Sequence, residues 1–500
     1  MKPLNPASAL RPLLPLLCLA LLSAGCARLG PDFQPPAQPT PAQWSAWSHA
    51  PQALPAASND APAPEAWWQV FDDPVLNALE AQARARNADL QTAALRFAQS
   101  RLQRQAQSAA ELPRVDAQAT LQRERQSAYD PSTRLVNAIG GNNREALIGV
   151  LTEPFNVYQA GFDVRWEPDL WGRVKRSLEA ADAQSDEVAA QLDGVHLALG
   201  AELARAYLEL AQVRRQRALL EEDRQTLAHS LTLGEARVRS GLLSSLELTE
   251  RRARLTELES QQPALVARET QLLNQLAVLV DEPPGALAGR IPAPDARPRT
   301  LPALPLGLPA ELTRRRPDLR AAEARLHQAT ASIGIALADL YPRIVLGAEL
   351  ASTSIQGGKF GEWGSRQWQI GPSLSLPIFD RGQRRTVVEL RRLDQQQAAI
   401  ALQHTALEAW AEVDTALTAY RAGRARLARQ QDKIRQLENA LHWQNARETQ
   451  GLASRENVLE ARHALLQARL DLAEAEAQNG VQVVAVYKAL GGGSLEPNQP

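Results

Sequence analysis

The sequence predicts a mainly α-helical chain with a small β part, organised as two structural repeats. Three observations lead to this fold class. Motifs in the first half of the chain recur in the second half in the same order. Two long windows, 169–262 and 378–496, contain no proline and are rich in residues that favour helices. Short segments ahead of each window alternate apolar and polar residues, as half-exposed strands do.

The repeat shows which parts of the two copies correspond. The matching segments are 113–115 with 342–344, 158–161 with 368–371, and 241–242 with 451–452. The two segments of the first pair lie further apart in sequence than those of the later pairs. The first copy therefore carries an insertion between about residues 120 and 157. Gly140-Gly141-Asn142-Asn143 lies in that insertion, and its composition predicts a loop.

Each copy is expected to contribute two strands. The predicted strands are about 113–122, 157–167, 342–350 and 367–377. One face of each is apolar and the other polar, which fits either a soluble antiparallel sheet or the wall of a membrane barrel. The pattern alone leaves both possibilities open. Four strands cannot close a barrel, and an open sheet edge is not stable in lipid. Strands that span a membrane would therefore need several copies of the chain, and three copies would supply twelve strands.

The helices are predicted as columns of similar height. The predicted helices are 88–110, 173–240, 243–280, 318–340, 382–450 and 453–489. Each long helix would extend roughly 100 Å, and a return helix stacked with an upstream helix nearly equals that length. This arithmetic predicts four columns per chain. Gly241 and Gly451 end the long helices as tip turns.

Two further features belong to the return helices. Pro263 is expected to kink or break the first of them. The second carries a heptad seam that permits close packing against a neighbouring helix. Its seam residues are Val458, Ala461, Leu465, Ala468, Leu472 and Ala475.

The N-terminus is predicted to be a targeting signal. Residues 1–25 combine positive charge, an apolar stretch and small residues before Cys26, as in the signal peptide of a bacterial lipoprotein. Lipid attachment at Cys26 is the favoured interpretation, and a cysteine that merely lies near an ordinary cleavage site is the alternative. Ala27 follows, where Asp would retain a lipoprotein in the inner membrane, so the outer membrane is the expected destination.

Composition excludes several classes of protein. The 500 residues include 55 basic and 56 acidic side chains, a balance that provides no field for nucleic acid. The mean hydropathy of −0.31 argues against a polytopic helical membrane protein. Both cysteines lie in the first 26 residues, so the body of the chain has no cysteine for disulfides or metal. Motifs for hydrolytic or metal-dependent catalysis are missing from the sequence, and neither an enzyme nor a cofactor is expected.

Several motifs recur in an order that matches a known family. They are Cys26 with Gly30-Pro31-Asp32-Phe33, Trp67-Trp68, Asn87-Ala88-Asp89-Leu90, Trp166-Glu167, Arg315-Arg316-Pro317-Asp318 and Pro377-Ile378-Phe379-Asp380. Over residues 26–493 the chain resembles the outer-membrane factors of bacterial tripartite efflux systems. The resemblance is to the lipoprotein branch called the NodT family, with TolC and OprM as relatives.

The resemblance implies a TolC-like homotrimer in the outer membrane. Such a trimer has a 12-stranded transmembrane β-barrel and a periplasmic α-barrel, and it docks to a periplasmic adaptor and an inner-membrane pump of the RND type. It passes small toxic compounds to the exterior. A protein-secretion channel of the same architecture and a structural coiled-coil lipoprotein are the alternative functions.

The resemblance also implies functional positions at the periplasmic tips. Gly241 and Gly451 would be the tip turns at which the adaptor docks. Glu456 and Glu460 match the positions where relatives close the duct, and their spacing of four puts both on one helix face. A trimer would then carry two rings of carboxylates that select cations. An ordinary pair of solvent-facing glutamates is the alternative.

The predicted organisation is as follows: signal peptide, 1–25; Pro-rich lipidated tether, 26–65; first repeat, 66–280; Pro-rich equatorial connection, 281–308; second repeat, 309–490; and C-terminal tail, 491–500.

Overall fold

The computed structural model describes residues 28–36, 66–131, 134, 136, 141–292 and 315–492. The predicted signal peptide, Cys26, most of the tether, residues 293–314 and the tail from residue 493 lie outside the described residues. The helices of eight or more residues within the described ranges are α1 (Pro74–Arg86), α2 (Ala88–Ser108), α3 (Arg144–Leu151), α4 (Arg173–Arg239), α5 (Ser245–Leu279), α6 (Pro317–Ala338), α7 (Gln383–Thr449) and α8 (Arg455–Ala489). The strands are β1 (Arg114–Glu124), β2 (Phe155–Trp166), β3 (Arg343–Ser354) and β4 (Arg366–Ser375).

The repeat is visible in the lengths of the elements. Helices α4 and α7 each have 67 residues, and α5 and α8 each have 35. Each pair follows a β-hairpin in the same order, so the predicted fold class is confirmed. None of the described helices is long and apolar enough to span a membrane.

The chain divides into two units. Of the described residues, the sheet unit comprises those within 28–34, 100–185 and 325–398, and the tip unit comprises those within 35–36, 66–99, 186–292, 315–324 and 399–492. All four strands belong to the sheet unit, and both tip turns belong to the tip unit.

The sheet unit contains one antiparallel sheet in the order β1-β2-β3-β4. Its register places Ala117, Phe162, Leu350 and Trp368 in one row across the four strands. The neighbouring row consists of Asp116, Asp163, Glu349 and Gln369. Because successive residues on a strand point to opposite faces, one face of the sheet is apolar and the other polar. Strands β1 and β4 are the two edges.

The core of the tip unit gathers aromatic and aliphatic side chains from many segments. Trp67 precedes α1 and stacks on Tyr487 of α8, with ring centroids 5.4 Å apart. Asp73 caps α1 by accepting hydrogen bonds from the backbone N–H of Val75 and Leu76. The Tyr207 hydroxyl of α4 also donates to Asp73, at 2.6 Å. A buried helix start is thereby tied to a long helix.

Pro263 is expected to kink or break α5, and the structure shows that it does not break the helix, which runs from Ser245 to Leu279. Pro263 is exposed, so water can bind the carbonyl group that loses its helical partner. The insertion was expected to be a loop, yet it contains the short helix α3. Residues 144–151 contain no proline, and Ala146, Leu147 and Leu151 are residues that favour a helix.

Candidate functional site at the helix tips

Both tip turns have the same backbone geometry. Gly241 and Gly451 have φ values of 72° and 73°, in the left-handed region that glycine adopts without strain. The next residue, Leu242 or Leu452, donates its backbone N–H to the carbonyl of Arg237 or Arg447, at 2.8 Å in each turn. This hydrogen bond satisfies a carbonyl that the end of the helix leaves unpaired. The structure thus places a turn at each of these two glycines.

A capping box starts the return helix after each turn. The Ser244 side chain accepts from the Glu247 backbone, and the Glu247 side chain accepts from the Ser244 backbone. Ser454 and Asn457 make the same exchange at the start of α8. The two tips are thus similarly built corners.

Each tip exposes a large apolar side chain. Leu242 is 69% exposed, and Leu452 is 65% exposed. Exposed leucines at corresponding positions of two similarly built turns form a surface that a partner protein can cover.

Glu456 lies where three helices meet. Its carboxylate forms ion pairs with Arg237 of α4 and with Arg251 of α5, and the Glu456 side chain is only 18% exposed. Arg251 also donates to the Ser230 hydroxyl of α4, at 3.2 Å. Glu456 therefore connects α8 to both α4 and α5 within one protomer.

Glu460 is placed differently from Glu456. It lies one turn further along α8 and is exposed. In the described part of the chain it has neither an ion pair nor a side-chain hydrogen bond. Its carboxylate is therefore available to face solvent, a pore or another protomer.

A second connection between α4 and α8 lies further from the tip. The Asp223 carboxylate of α4 is fully buried. It accepts a hydrogen bond from Gln467 and contacts His463 Nδ1, both at 2.7 Å. Beside it, Arg462 pairs with Glu222 at 3.1 Å.

Helix α8 packs on two neighbours with different residues. Leu465, Ala468 and Leu472 pack with Ile434, Leu437 and Leu441 of α7. Leu466 and Ala473 pack with Leu219 of α4. The heptad seam thus joins α7 and α8 with apolar contacts. Ion pairs connect α8 to both neighbours: Glu474 pairs with Arg426 and Asp471 with Lys433 of α7, as Glu456 pairs with Arg237 of α4.

Sequence reasoning missed the partners of Glu456. Arg237 and Arg251 are distant in sequence from α8 and sit among many other charged residues. The only available signal was the repeat itself, which places Arg237 four residues before Gly241 and Arg447 four before Gly451. That correspondence marks a basic residue beside each tip without showing what it binds.

The structure offers little for catalysis or metal binding. No group of three or more His, Cys, Asp or Glu residues within the described ranges could hold a metal ion. His404 and Glu408 approach to 3.4 Å on α7, but each side chain is 68% exposed. They form a solvated pair on a helix surface.

Comparisons with known proteins agree with this architecture. The family model for outer membrane efflux proteins matches residues 79–281 and 308–492. Outer membrane protein OprJ of Pseudomonas aeruginosa is 30% identical over 483 residues, which cover 95% of each chain. Nodulation protein T of Rhizobium leguminosarum bv. viciae is 28% identical over 480 residues, covering 96% of this chain and 93% of that protein.

A solved structure extends the likeness to three dimensions. The outer-membrane channel OprN is similar to this chain with a TM-score of 0.80 and 30% identity, covering 93% of this chain and 99% of OprN. The resemblance inferred from the motifs is confirmed. The chain belongs to the outer membrane efflux protein family, and it is an exit duct of the outer membrane that extends into the periplasm, not an enzyme.

Proposed function

We propose that the chain works as a homotrimer in a tripartite efflux system. A periplasmic adaptor would dock on the tips at Gly241 and Gly451, and an inner-membrane pump of the RND type would supply the compounds. OprJ and nodulation protein T resemble the chain over nearly its whole length, which supports a complete duct. The exposed Leu242 and Leu452 support docking at the tips. Three copies would place the edge strands β1 and β4 of neighbouring protomers side by side.

The link around Glu456 is the observation that carries the gating mechanism. In our proposal α7 and α8 move together when the duct opens, because the apolar seam and ion pairs such as Glu474–Arg426 and Asp471–Lys433 join them. Helices α4 and α5 stay in place, and the link from Glu456 to Arg237 and Arg251 holds the moving pair against them. Adaptor docking at the tips would separate the charges and let the inner pair untwist.

Glu460 has a different role in this proposal. Three copies of its exposed carboxylate would form an acidic ring around the duct, which attracts cations and slows anions. Glu456 would add little negative charge to the duct, because two arginines already neutralise it. We therefore propose that the ring of Glu460 carboxylates selects charge, whereas Glu456 closes the gate.

The outer membrane would also hold the chain by a lipid on Cys26. The signal-like residues 1–25 support this assignment. A barrel and acyl chains together would anchor the protein more firmly than acyl chains alone.

The Glu456→Gln variant tests the gate. Glutamine keeps the size of the side chain but removes the charge that attracts both arginines. We expect purified Glu456→Gln trimers in planar lipid bilayers to show a several-fold higher conductance than the wild type. Strains that produce the variant should also become sensitive to large hydrophilic antibiotics.

Glu474→Gln is the matched control. Glu474 also lies on α8 and pairs with Arg426 at 3.4 Å, but Arg426 belongs to α7, within the moving pair. Its loss should leave the conductance unchanged. Equal conductance of the Glu456→Gln variant and the wild type would contradict the gating role of the link.

A further inference from the structure

Several contacts attach the segment 28–33 to the rest of the sheet unit. This segment contains the Gly30-Pro31-Asp32-Phe33 motif, to which the efflux function gives no role. We call residues 28–33 the clasp. It contacts α4, α6 and the turn before α4, all within the sheet unit.

Arg176 of α4 is the centre of the clasp. Its side chain is only 1% exposed. It donates to the backbone carbonyls of Leu29 and Gly30, at 3.0 and 3.1 Å, and to the Asp32 carboxylate, at 2.8 Å. It also pairs with Glu179 at 2.8 Å. A buried guanidinium normally needs such a full set of acceptors, and here three of the four belong to the clasp.

Two glycines let the clasp lie directly on α6. A Cβ atom on Gly30 would come within 2.6 Å of the Gly334 Cα atom. A Cβ atom on Gly334 would come within 2.8 Å of both the Leu29 carbonyl and the Arg176 side chain. Neither position has room for any other residue, so the contact is between backbones.

Two more contacts hold the ends of the clasp. Leu29 donates its backbone N–H to the carbonyl of Trp171, at 3.2 Å. Phe33 stacks on His327 of α6, with ring centroids 4.4 Å apart. The whole segment is therefore held against folded structure rather than running as a free linker.

The clasp is fastened beside the ends of the strands that lead into helices. Strand β2 ends at Trp166 and α4 begins at Arg173, so Arg176 lies in the first turn of the helix that leaves the sheet. In an outer-membrane protein that extends into the periplasm, this end of the sheet is the periplasmic end. Cys26 is two residues before the clasp, so covalent geometry limits the distance between the Cα atoms of Cys26 and Arg28 to about 7 Å.

We propose that the clasp, locked by Arg176, fixes the position of the lipid on Cys26 relative to the periplasmic end of the sheet. The acyl chains would then enter the inner leaflet of the outer membrane beside the strands, and Arg176 would be the positioning residue. The lipid would guide the depth and orientation of the sheet as it inserts, beyond merely retaining the chain at the membrane. This inference rests on the proposed lipid attachment at Cys26.

A spin label on a Gln34→Cys variant reports on the clasp directly. Gln34 is exposed and follows the clasp. A lipidated Cys26 would have its sulfur in a thioether, which the label cannot modify. We expect a slowly tumbling label in the otherwise wild-type trimer and a label that moves several-fold faster when Arg176→Met is added. Lys175→Met is the matched control, because the neighbouring Lys175 is exposed. Equal mobility in all three proteins would overturn the clasp.

A double-mutant comparison tests the connection to the lipid. The chain is expressed with its own signal or, as a Cys26→Ser variant, behind a leader that is cleaved without lipidation. Heat-resistant trimers in the outer membrane are then counted for each form, with Arg176 intact and with the Arg176→Met substitution. We expect each single change to reduce trimers several-fold and the combination to be no worse than either one, because both act through the anchor. Additive losses would mean that Arg176 only stabilises the fold.

A second variant and a mass measurement separate the remaining outcomes. Gly334→Ala displaces the clasp without removing a charge, and it should repeat the Arg176→Met result in both assays. Intact-mass analysis of the wild-type protein shows whether Cys26 carries acyl chains. An unmodified Cys26 would overturn the lipid attachment and this inference with it, whereas the efflux function would stand.

Discussion

Glu80 is the residue whose environment departs furthest from that of an ordinary glutamate. Its side chain on α1 is fully buried, and neither carboxylate oxygen has a hydrogen-bond partner in the described part of the chain. One oxygen lies close to Gly200 of α4, where a Cβ atom would approach it to 3.3 Å. Burial raises the pKa of Glu80 from 4.5 to about 8, although the positive charge of Arg84 opposes the shift. Glu80 is therefore mostly protonated at neutral pH.

This raised pKa predicts how stability depends on pH. The folded chain keeps the proton on Glu80 up to about pH 8, whereas the unfolded chain releases it near pH 4.5. The free energy of unfolding should therefore fall as the pH rises from 4.5 to 8. Glu80→Gln removes this dependence and should stabilise the tip unit by on the order of 3 kcal/mol at pH 8, but little at pH 5. Thermal unfolding, followed by tryptophan fluorescence at both pH values, measures the difference in stability between the variant and the wild type. A variant that melts no higher than the wild type at pH 8 would contradict this account.

Helix α5 shows how far an element can depart from its local sequence. Pro263 removes one backbone donor and clashes with the preceding turn, yet the helix continues from Ser245 to Leu279. Leu258 before the proline and Leu272 and Leu276 after it are buried side chains of α5. Their packing holds the helix in place on both sides of the proline. Local propensity is thus overridden by tertiary contacts on either side.

Replacement of Pro263 should therefore stabilise the element. Pro263→Ala restores the missing N–H and removes the clash without touching a buried contact. We expect a gain of up to about 3 kcal/mol in the free energy of unfolding, measured by denaturant titration of the purified protein. An unchanged or reduced stability would show that the proline fits a bend in α5 that alanine cannot reproduce.

Elements were predictable where the sequence signal is local. Alternation in 158–166 identified β2, and the glycines at 241 and 451 located the turns, because periodicity and backbone conformation depend on neighbouring residues. Arg176 was not identified, since its partners Leu29 and Gly30 lie 147 and 146 residues away. Glu456 was chosen by resemblance as a pore residue, but only the folded chain shows that Arg237 and Arg251 surround it. Charged residues are common in the long helices, so no pattern distinguishes the paired from the solvated ones.

At the scale of the whole molecule, duplication gives one chain two pairs of long and return helices, to which the proposed gate assigns different roles. The first copy ends in α4 and α5, and the second ends in α7 and α8. The tips have kept the same turn and the same capping arrangement. The copies differ in the charges beside the tips, where Glu456 of the second copy reaches two arginines of the first. In the proposed gate, this asymmetry closes the duct.

The most direct test of that account is an efflux assay on duct trimers that are crosslinked near the proposed constriction. Glu460→Cys would place three thiols around the axis, and a short reducible crosslinker should join neighbouring protomers. Intracellular accumulation of a fluorescent efflux dye is then measured in a strain that lacks the wild-type protein and redundant ducts. Glu474→Cys, on the same helix, is the control.

We predict that crosslinking the Glu460→Cys variant raises dye accumulation to the level of the deletion strain, and that reduction restores efflux. Undiminished efflux from fully crosslinked trimers would contradict a duct that opens at α8.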